Sequence, residues 1–213
     1  VNHVFSTYKP EVIVHAGAIS KPDECEDNRE LAFDINTQGT INLLKAAKPL
    51  NSFFIFISTD FVFDGLKGMY NEKDSPTPVN YYGQTKLLAE EKVKEYVGEW
   101  SIVRTVLFYG RTQMGRENLL TLVKKKNENG EVFKVFTDQL RTPTYVEDLA
   151  SAIVSIIDNK ANGIFHISGV DQLSPYEMVI KMADLFSLNK ELILPITKDD
   201  LKEKALRPPL TGF

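Results

Sequence analysis

The chain has 213 residues, of which 43% are hydrophobic, and a formal net charge of −4. This length and apolar content are enough for one good-sized core, or for one core with a small annex. The acidic balance provides no basic field to hold a nucleic-acid backbone. The single cysteine, Cys25, excludes an intramolecular disulfide and is typical of a reducing compartment.

No apolar run approaches the roughly 20 residues of a membrane span, and no secretory signal is visible. We therefore expect a soluble, cytoplasmic protein that binds neither membranes nor nucleic acids. The chain contains no internal repeat and no low-complexity segment.

The first half of the chain alternates predicted strands with predicted helices. In order, we expect a helix end at 1–8, a buried strand at 11–18, a long helix at 27–48, a strand at 53–57, a helix from Tyr82 and a strand at 100–110. This alternation predicts a doubly wound parallel sheet. Its predicted core residues are Ile13, Val14, Phe54, Ile55, Ile57, Val103, Val106, Phe165 and Ile167.

Beyond residue 110 the order of elements changes. We expect a helix at 115–130 that ends at Gly130, a short strand at 133–136, a polar loop at 138–144, an apolar helix at 146–157 and a late strand at 163–169. Ser174 followed by Pro175 predicts a helix start, with serine as N-cap and proline at the first helical position.

The most informative stretch is the predicted helix that contains Tyr82 and Lys86. Pro78 stands just before it and strong helix formers follow. Residues four apart lie on one helix face, roughly 5–6 Å between Cβ atoms. A free tyrosine has a pKa of about 10, and a nearby cation lowers it. The pair therefore suits acid/base chemistry; the alternative is a surface tyrosine and a solvated lysine.

Polar side chains also follow two earlier predicted elements. The apolar run 53–57 ends in Ser58 and Thr59, and ligands of an open parallel sheet bind beyond the carboxyl ends of its strands. A hydroxyl there can bond a substrate oxygen that Tyr82 also reaches. Asn36 lies in the predicted helix at 27–48, which also carries Gly39.

The predicted strand at 11–18 ends in the small residues Ala16, Gly17 and Ala18. Small residues let a cofactor approach the backbone closely, so these three are candidate cofactor contacts. The alternative is a strand end packed tightly on a neighbouring helix. His15 and His166 favour a structural interpretation, as buried histidines with satisfied hydrogen bonds.

Taken together, these residues resemble a known family, the extended short-chain dehydrogenase/reductases. The resemblance is carried by Asn36 with Gly39-Thr40, by Ser58-Thr59, and by Tyr82 with Lys86, in that order. Within this family the chain is most similar to the dTDP-4-dehydrorhamnose reductases, through residues 58–65, 78–86 and 138–144.

The resemblance implies hydride transfer from NADP or NAD, with NADPH favoured, to the keto carbon of a nucleotide-linked sugar. Tyr82 would donate a proton, Lys86 would lower the pKa of Tyr82 and hold the nicotinamide ribose, and Thr59 would steady the substrate oxygen. The implied cofactor contacts are Ala16, Gly17, Ala18, Asn36, Ser58, Tyr82, Lys86 and Thr105, with Ser58 as the fallback for the role of Thr59. The implied substrate contacts are Asp60, Phe61, Arg141 and Arg207, and no metal is expected. The two arginines are candidates for the substrate phosphates, by bidentate contact; the alternative is an ordinary surface or domain-joining arginine.

The resemblance also implies two units. A Rossmann-like dinucleotide-binding domain would comprise residues 1–110 and 148–169, and a smaller α/β substrate lobe residues 111–147 and 170–213. Such folds normally open with a strand and a Gly-rich turn. No such pattern stands near Val1, so we expect the family's first strands to lie upstream of this chain. The resemblance is compatible with a homodimer.

Three other functions compete with the reductase. A sugar-nucleotide dehydratase is disfavoured, because that family usually has Thr-Asp-Glu where this chain has Thr59-Asp60-Phe61. An epimerase stays open, since it would use the same tyrosine and lysine. The non-catalytic regulatory subunit of methionine adenosyltransferase is also similar, through 21–26, 176–178, 183–186 and 207–208. We favour the enzyme.

Overall fold

The structure is a computed structural model that describes residues 1–111 and 117–213. Its α-helices are α1 (Asn2–Tyr8), α2 (Pro22–Asp27), α3 (Arg29–Phe33), α4 (Gly39–Ala47), α5 (Tyr81–Lys94), α6 (Leu119–Glu128), α7 (Val146–Asp158) and α8 (Pro175–Phe186). Its strands are β1 (Val12–His15), β2 (Phe53–Thr59), β3 (Trp100–Thr105), β4 (Phe108–Tyr109), β5 (Phe133–Phe136), β6 (Thr144–Tyr145), β7 (Gly163–Ile167) and β8 (Ile193–Ile196). The first two residues of the helix predicted at 115–130 lie outside the described ranges.

Four strands form the central sheet, in the order β1-β2-β3-β7, and all pairs are parallel. The predicted α/β fold with a parallel sheet is therefore confirmed. Because parallel strands end at the same edge, the residues that follow β1, β2, β3 and β7 gather along one side of the sheet.

Helices cover both faces of this sheet. Strand β2 lies between two neighbours and is buried on both faces, which explains its continuous apolar run. On one face, α1, α4 and α5 bury Phe5, Leu44, Ala47, Phe54, Phe56, Ala89, Val93, Tyr96 and Ile102. On the other face, α7 buries Phe53, Ile55, Val103, Leu149 and Ile156.

One predicted core residue lies on the surface. Val14 is 45% exposed, on strand β1, which pairs with β2. Within these 213 residues Val14 therefore lies in the sheet and outside the buried core. The others are fully buried (Phe54, Ile55, Val103, Val106) or partly buried (Ile13, Ile57, Phe165, Ile167).

The helix predicted at 27–48 is not continuous. Asn28 caps a new start, since its side chain accepts a hydrogen bond from Leu31 N at 3.1 Å. A π-helical turn, Asp34–Gln38, then separates α3 from α4, and a 3₁₀ turn, Lys48–Leu50, ends the segment. Within the π turn, Asn36 O accepts a hydrogen bond from the Thr40 hydroxyl at 2.7 Å. Such wide turns occur frequently at functional sites.

A second, smaller core lies beyond β4. Strands β5 and β8 pair in parallel, and α6 and α8 pack with them around Val123, Val135, Val179, Met182, Ala183 and Ile193. Helix α8 begins with the predicted cap, since the Ser174 hydroxyl accepts from Glu177 N at 3.1 Å and Glu177 bonds back. Strand β4 pairs with β6. The division into two domains stays a prediction.

No helix within the described ranges combines the length and the apolar character needed to cross a membrane.

Candidate functional site

The first turn of α5 is fixed against the end of β2. Asn80 caps the helix by accepting a hydrogen bond from Gly83 N at 2.9 Å, and its amide donates to Leu206 O at 2.7 Å. A Cβ at Gly83 would stand 2.1 Å from Phe61 O. Glycine at this position therefore lets the helix approach the 3₁₀ turn Asp60–Val62, which follows β2.

This approach brings Tyr82 to Thr59. The Tyr82 side chain is close enough to Thr59 to interact with it electrostatically, and the ring of Tyr82 meets that of Phe61 edge-on with centroids 5.8 Å apart. Burial raises the pKa of Tyr82 well above its usual value; Thr59 opposes this, and Asp60 and Cys25 add to it. Tyr82 is therefore a neutral phenol near pH 7, which is the state a proton donor starts from.

Lys86 lies one turn further along α5 and is only 2% exposed. Its Nζ donates to Ile57 O at 2.7 Å and lies 3.9 Å from the centre of the Phe56 ring. Burial lowers the pKa of Lys86 to about 7, while Glu90 opposes the shift. The sequence predicted that Lys86 lowers the pKa of Tyr82, and that prediction was wrong. The ammonium is directed at a strand carbonyl, and burial dominates at Tyr82.

Asn36 holds the loop after β1 and is buried. Its side-chain oxygen accepts from Ile19 N at 2.8 Å, and its amide nitrogen donates to Ile19 O and to the Thr85 hydroxyl, both at 3.0 Å. These bonds hold the backbone of the loop, which is one of the roles that the family resemblance implies for Asn36; its cofactor contact stays a prediction. The π turn provides the width that lets Asn36 reach both partners.

The loop that Asn36 fixes carries the predicted cofactor contacts Ala16, Gly17 and Ala18. Ala16 and Gly17 are exposed and Ala18 is half-buried. Among the described residues, a Cβ built at Gly17 would meet only the His15 ring, at 3.6 Å or more. Packing within the chain therefore does not require glycine here, whereas close approach by a ligand would.

Ser58 faces away from this surface. Successive side chains of a strand point to opposite faces, and the Ser58 hydroxyl donates to Glu90 Oε1 at 2.5 Å beneath α5. Its hydroxyl proton is therefore engaged by Glu90, and its cofactor contact stays a prediction. Glu90 also binds Arg104 of β3, at 2.6 Å, and both are fully buried. Sequence reasoning missed this pair, although an arginine inside an apolar strand was its signal.

The predicted substrate contacts Asp60 and Arg141 form a buried ion pair, with Arg141 Nε 3.7 Å from Asp60 Oδ2. Arg141 is 3% exposed and donates to Leu140 O and Pro209 O. The Thr211 hydroxyl donates to Asp60. Both side chains therefore fasten the C-terminal segment to the end of β2. Their predicted contacts with a substrate stay predictions.

Arg207 is engaged in the same way. Its guanidinium lies 3.2 Å from Asp23 of α2 and from Glu203, and it donates to Ala205 O at 2.9 Å. These bonds join the C-terminal segment to α2, which fits the alternative of a domain-joining arginine; the phosphate contact stays a prediction. Thr105 is also buried, and its hydroxyl donates to that of Thr144 at 3.2 Å. It therefore joins β3 to β6, and its cofactor contact stays a prediction.

Two grooves lie outside the Tyr82 site. One, of about 790 Å³, runs between α6, α8 and the residues after β7, and the other, of about 340 Å³, is lined by Asp138 and Arg207. Neither is lined by Thr59, Tyr82 or Lys86. Among the described residues, no group of three His, Cys, Asp or Glu side chains is arranged to hold a metal ion.

The profile of the family described as "RmlD substrate binding domain" matches residues 1–211. Among solved structures, dTDP-4-dehydrorhamnose reductase from Bacillus anthracis, in complex with NADP, superposes with a TM-score of 0.91 and 32% identity, over 100% of this chain and 74% of that one. A reductase ortholog from Clostridium acetobutylicum gives a TM-score of 0.89 and 32% identity, with the same coverage of both chains.

Curated relatives include a protein with a different role. Methionine adenosyltransferase 2 subunit beta from Danio rerio is 34% identical over 98% of this chain, and the matched part is 66% of that protein. For the Bos taurus subunit the identity is 35%, over 92% of this chain and 61% of that one. The chain therefore spans less than two thirds of the length of these relatives. The spore coat polysaccharide biosynthesis protein SpsK from Bacillus subtilis is 31% identical over 98% of this chain and 72% of its own length.

Proposed function

Because this chain belongs to the RmlD substrate binding domain family of the extended short-chain dehydrogenase/reductases, we propose that it reduces a 4-keto nucleotide sugar, such as dTDP-4-dehydrorhamnose, with a nicotinamide cofactor. One observation carries this proposal: Tyr82 packs edge-on against Phe61 beside Thr59, at the carboxyl end of β2, and Lys86 follows one turn along the same helix. We further propose that the protein works in the cytoplasm, since its single cysteine suits a reducing compartment.

Tyr82 and Thr59 both interact with the substrate oxygen. Reduction of a ketone leaves negative charge on its oxygen, and the neutral Tyr82 phenol gives this oxygen a proton. Phe61 N donates to Thr59 Oγ1 at 3.2 Å, which fixes that hydroxyl beside the phenol. The Thr59 hydroxyl donates to Asp60 Oδ1 at 3.1 Å; in the proposed reaction it turns this proton from Asp60 to the substrate oxygen as negative charge develops there.

The residues around Lys86 fit a nicotinamide cofactor. An ammonium has three N–H donors, and the described contacts of Lys86 Nζ use one of them, on Ile57 O. The others can hold ribose hydroxyls, and the exposed backbone at Ala16 and Gly17 is open to close approach by the cofactor. When bound, the reduced nicotinamide supplies the hydride. We propose NADPH as the preferred form, supported by the NADP complex of the Bacillus anthracis relative.

The test is to mix the intact protein with dTDP-4-dehydrorhamnose and either NADPH or NADH, and to follow cofactor oxidation. The proposal expects substrate-dependent oxidation, faster with NADPH. Conversion of the sugar without net cofactor consumption would identify an epimerase instead. Folded protein that oxidises neither cofactor with the keto sugar would rule out the reductase.

A second candidate is a subunit of methionine adenosyltransferase. The observation that favours it is the 34–35% identity to the subunit beta proteins over 92–98% of this chain. A reductase needs the Tyr82 hydroxyl, whereas a binding role does not. Light scattering of the intact protein with a methionine adenosyltransferase catalytic subunit tests this directly. A stable complex that forms equally with Tyr82→Phe, in a protein without reductase activity, would favour the subunit.

A further inference from the structure

Three charged side chains are buried together beneath the Tyr82 site: those of Lys86, Glu90 and Arg104. The helix face of α5 that meets β2 carries Tyr82, Lys86 and Glu90 at four-residue intervals. Lys86 is 2% exposed, Glu90 0% and Arg104 1%. The cluster thus contains two cations and one anion, and Glu90 lies one turn from Lys86.

The carboxylate of Glu90 is held in place from two sides. Ser58 donates to its Oε1, and Arg104 donates to Oε1 through Nε at 3.0 Å and to Oε2 through Nη2 at 2.6 Å. Arg104 is itself fixed, with Nη1 3.3 Å from His166 Nε2. Glu90 is therefore clamped and acts on Lys86 through space, because Lys86 Nζ donates to Ile57 O instead.

We infer that Glu90 is a positioning residue for this site: its clamped carboxylate keeps the Lys86 ammonium charged at the place where Tyr82 and a cofactor ribose meet. The inference rests on the proposed function for what Lys86 does there. This role explains why a fully buried acid, paired with Arg104, lies on the face of α5 that also carries Tyr82 and Lys86. It also gives Ser58 a role, because the Ser58 hydroxyl donates to the same carboxylate and helps to hold it.

The other titratable groups around Lys86 do not supply this charge. His15, at the end of β1, has Nε2 3.0 Å from the Thr40 hydroxyl. Burial, with Lys86, lowers the pKa of His15 to about 4, so His15 is neutral at pH 7. Tyr82 is also neutral, and Arg104 is a cation that lies behind Glu90. Among the described groups, Glu90 is therefore the anion that opposes the desolvation of Lys86.

The test is a direct titration of Lys86 by NMR, in the intact protein labelled with ¹³C-lysine and assigned with Lys86→Met. Wild type should titrate near pH 7. Glu90→Gln should lower the midpoint by about one to two pH units, from a unit charge removed at this range. The matched control is Glu91→Gln, an exposed acid on the same helix, which should leave the midpoint within about 0.3 pH units at usual ionic strength. An unchanged midpoint in folded Glu90→Gln would overturn the inference.

If Glu90→Gln does not fold, Glu90→Gln/Arg104→Met replaces the buried pair by neutral side chains, a change that proteins often tolerate. Its midpoint should still lie below that of wild type, by less than in the single variant because the Arg104 repulsion is also gone. A wild-type midpoint there would overturn the inference. A purely structural Glu90 would change stability and leave the Lys86 midpoint in place.

Turnover separates this inference from the proposed function. In an active reductase the alkaline loss of turnover should move with the Lys86 midpoint, since the ammonium is the working form. A moved midpoint in a protein that reduces no keto sugar would overturn the reductase and support the Glu90 clamp. An unchanged Lys86 midpoint in Glu90→Gln, in a protein that is an active reductase, would overturn the Glu90 inference and support the reductase.

Discussion

The sequence predicted ligand contacts in two regions. One is the corner between the end of β2 and the first turn of α5, and the other is the segment around Arg141 and Arg207. The two regions differ in the structure. At the corner, the Thr59 and Tyr82 side chains meet, with Lys86 on the next turn. In the other region, Arg141 pairs with Asp60 and Arg207 with Asp23 and Glu203. Helical spacing fixes neighbours on one face, whereas the partner of an arginine is decided by distant parts of the chain.

The largest expected effect is at Tyr82. If it is the proton donor, Tyr82→Phe should lower turnover by about 10²–10⁴-fold and leave thermal unfolding close to that of wild type. The matched control is Tyr81→Phe, the adjacent tyrosine, which stacks on Arg29 outside the corner and should keep its turnover. Steady-state rates of both variants decide the matter, and a Tyr82→Phe rate within threefold of wild type would remove the assigned role.

A substitution at Arg141 tests whether the second region is held together by buried ion pairs. Arg141→Met leaves Asp60 buried without its cation, which should lower the free energy of unfolding by about 3–5 kcal/mol. Arg29→Met, which removes an arginine that is 64% exposed from its pair with Glu26, should cost less than about 1 kcal/mol. Urea unfolding measures both. A stable Arg141→Met protein with a greatly raised KM would return Arg141 to the role of a phosphate contact.

The buried lysine should make stability depend on pH. The folded pKa of Lys86, about 7, lies below its ordinary value of 10.5. Between these values the unfolded chain binds the proton and the folded protein does not, so stability rises with pH. From pH 7 to 9 the gain should be roughly 2 kcal/mol relative to Lys86→Met. Urea midpoints across this range check it, and parallel slopes in the two proteins would show an ordinary lysine.

A substitution at Gly83 tests how closely α5 must approach the end of β2. Gly83→Ala places a methyl group against Phe61 O, and such overpacking typically costs about 1–3 kcal/mol. Because Tyr82 is adjacent, turnover should fall as well. Gly39→Ala is the matched control, since its Cβ would meet Asp34 O at an ordinary 3.5 Å within a helix. It should be neutral or stabilising by about 0.5–1 kcal/mol, and equal unfolding free energies for the two variants would contradict the close approach.

Much of the fold was predictable because its signals are local. The apolar run of β2, the helix start before Tyr82 and the cap at Ser174 each depend on adjacent residues, and the structure shows all three elements. The exposure of Val14 could not be predicted in the same way, because it depends on which elements pack over β1, and no local pattern contains that information.

The site was predictable only in part, for a related physical reason. Spacing placed Tyr82 and Lys86 on one face, but burial decides their protonation, so the predicted lowering of the Tyr82 pKa is reversed. The alternation of β2 separates Ser58 from Thr59, and the choice of which one faces Tyr82 required the packing of α5. Glu90 was missed because its partners Ser58 and Arg104 come from two other elements.

The most direct measurement of the central claim is hydride transfer itself. The intact protein is incubated with dTDP-4-dehydrorhamnose and NADPH deuterated at either face of nicotinamide C4, and the sugar product is analysed by mass spectrometry. The account predicts one deuterium at sugar C4 from one of the two cofactors, at a rate that Tyr82→Phe greatly reduces. A folded protein that binds NADPH and transfers no deuterium from either would contradict it.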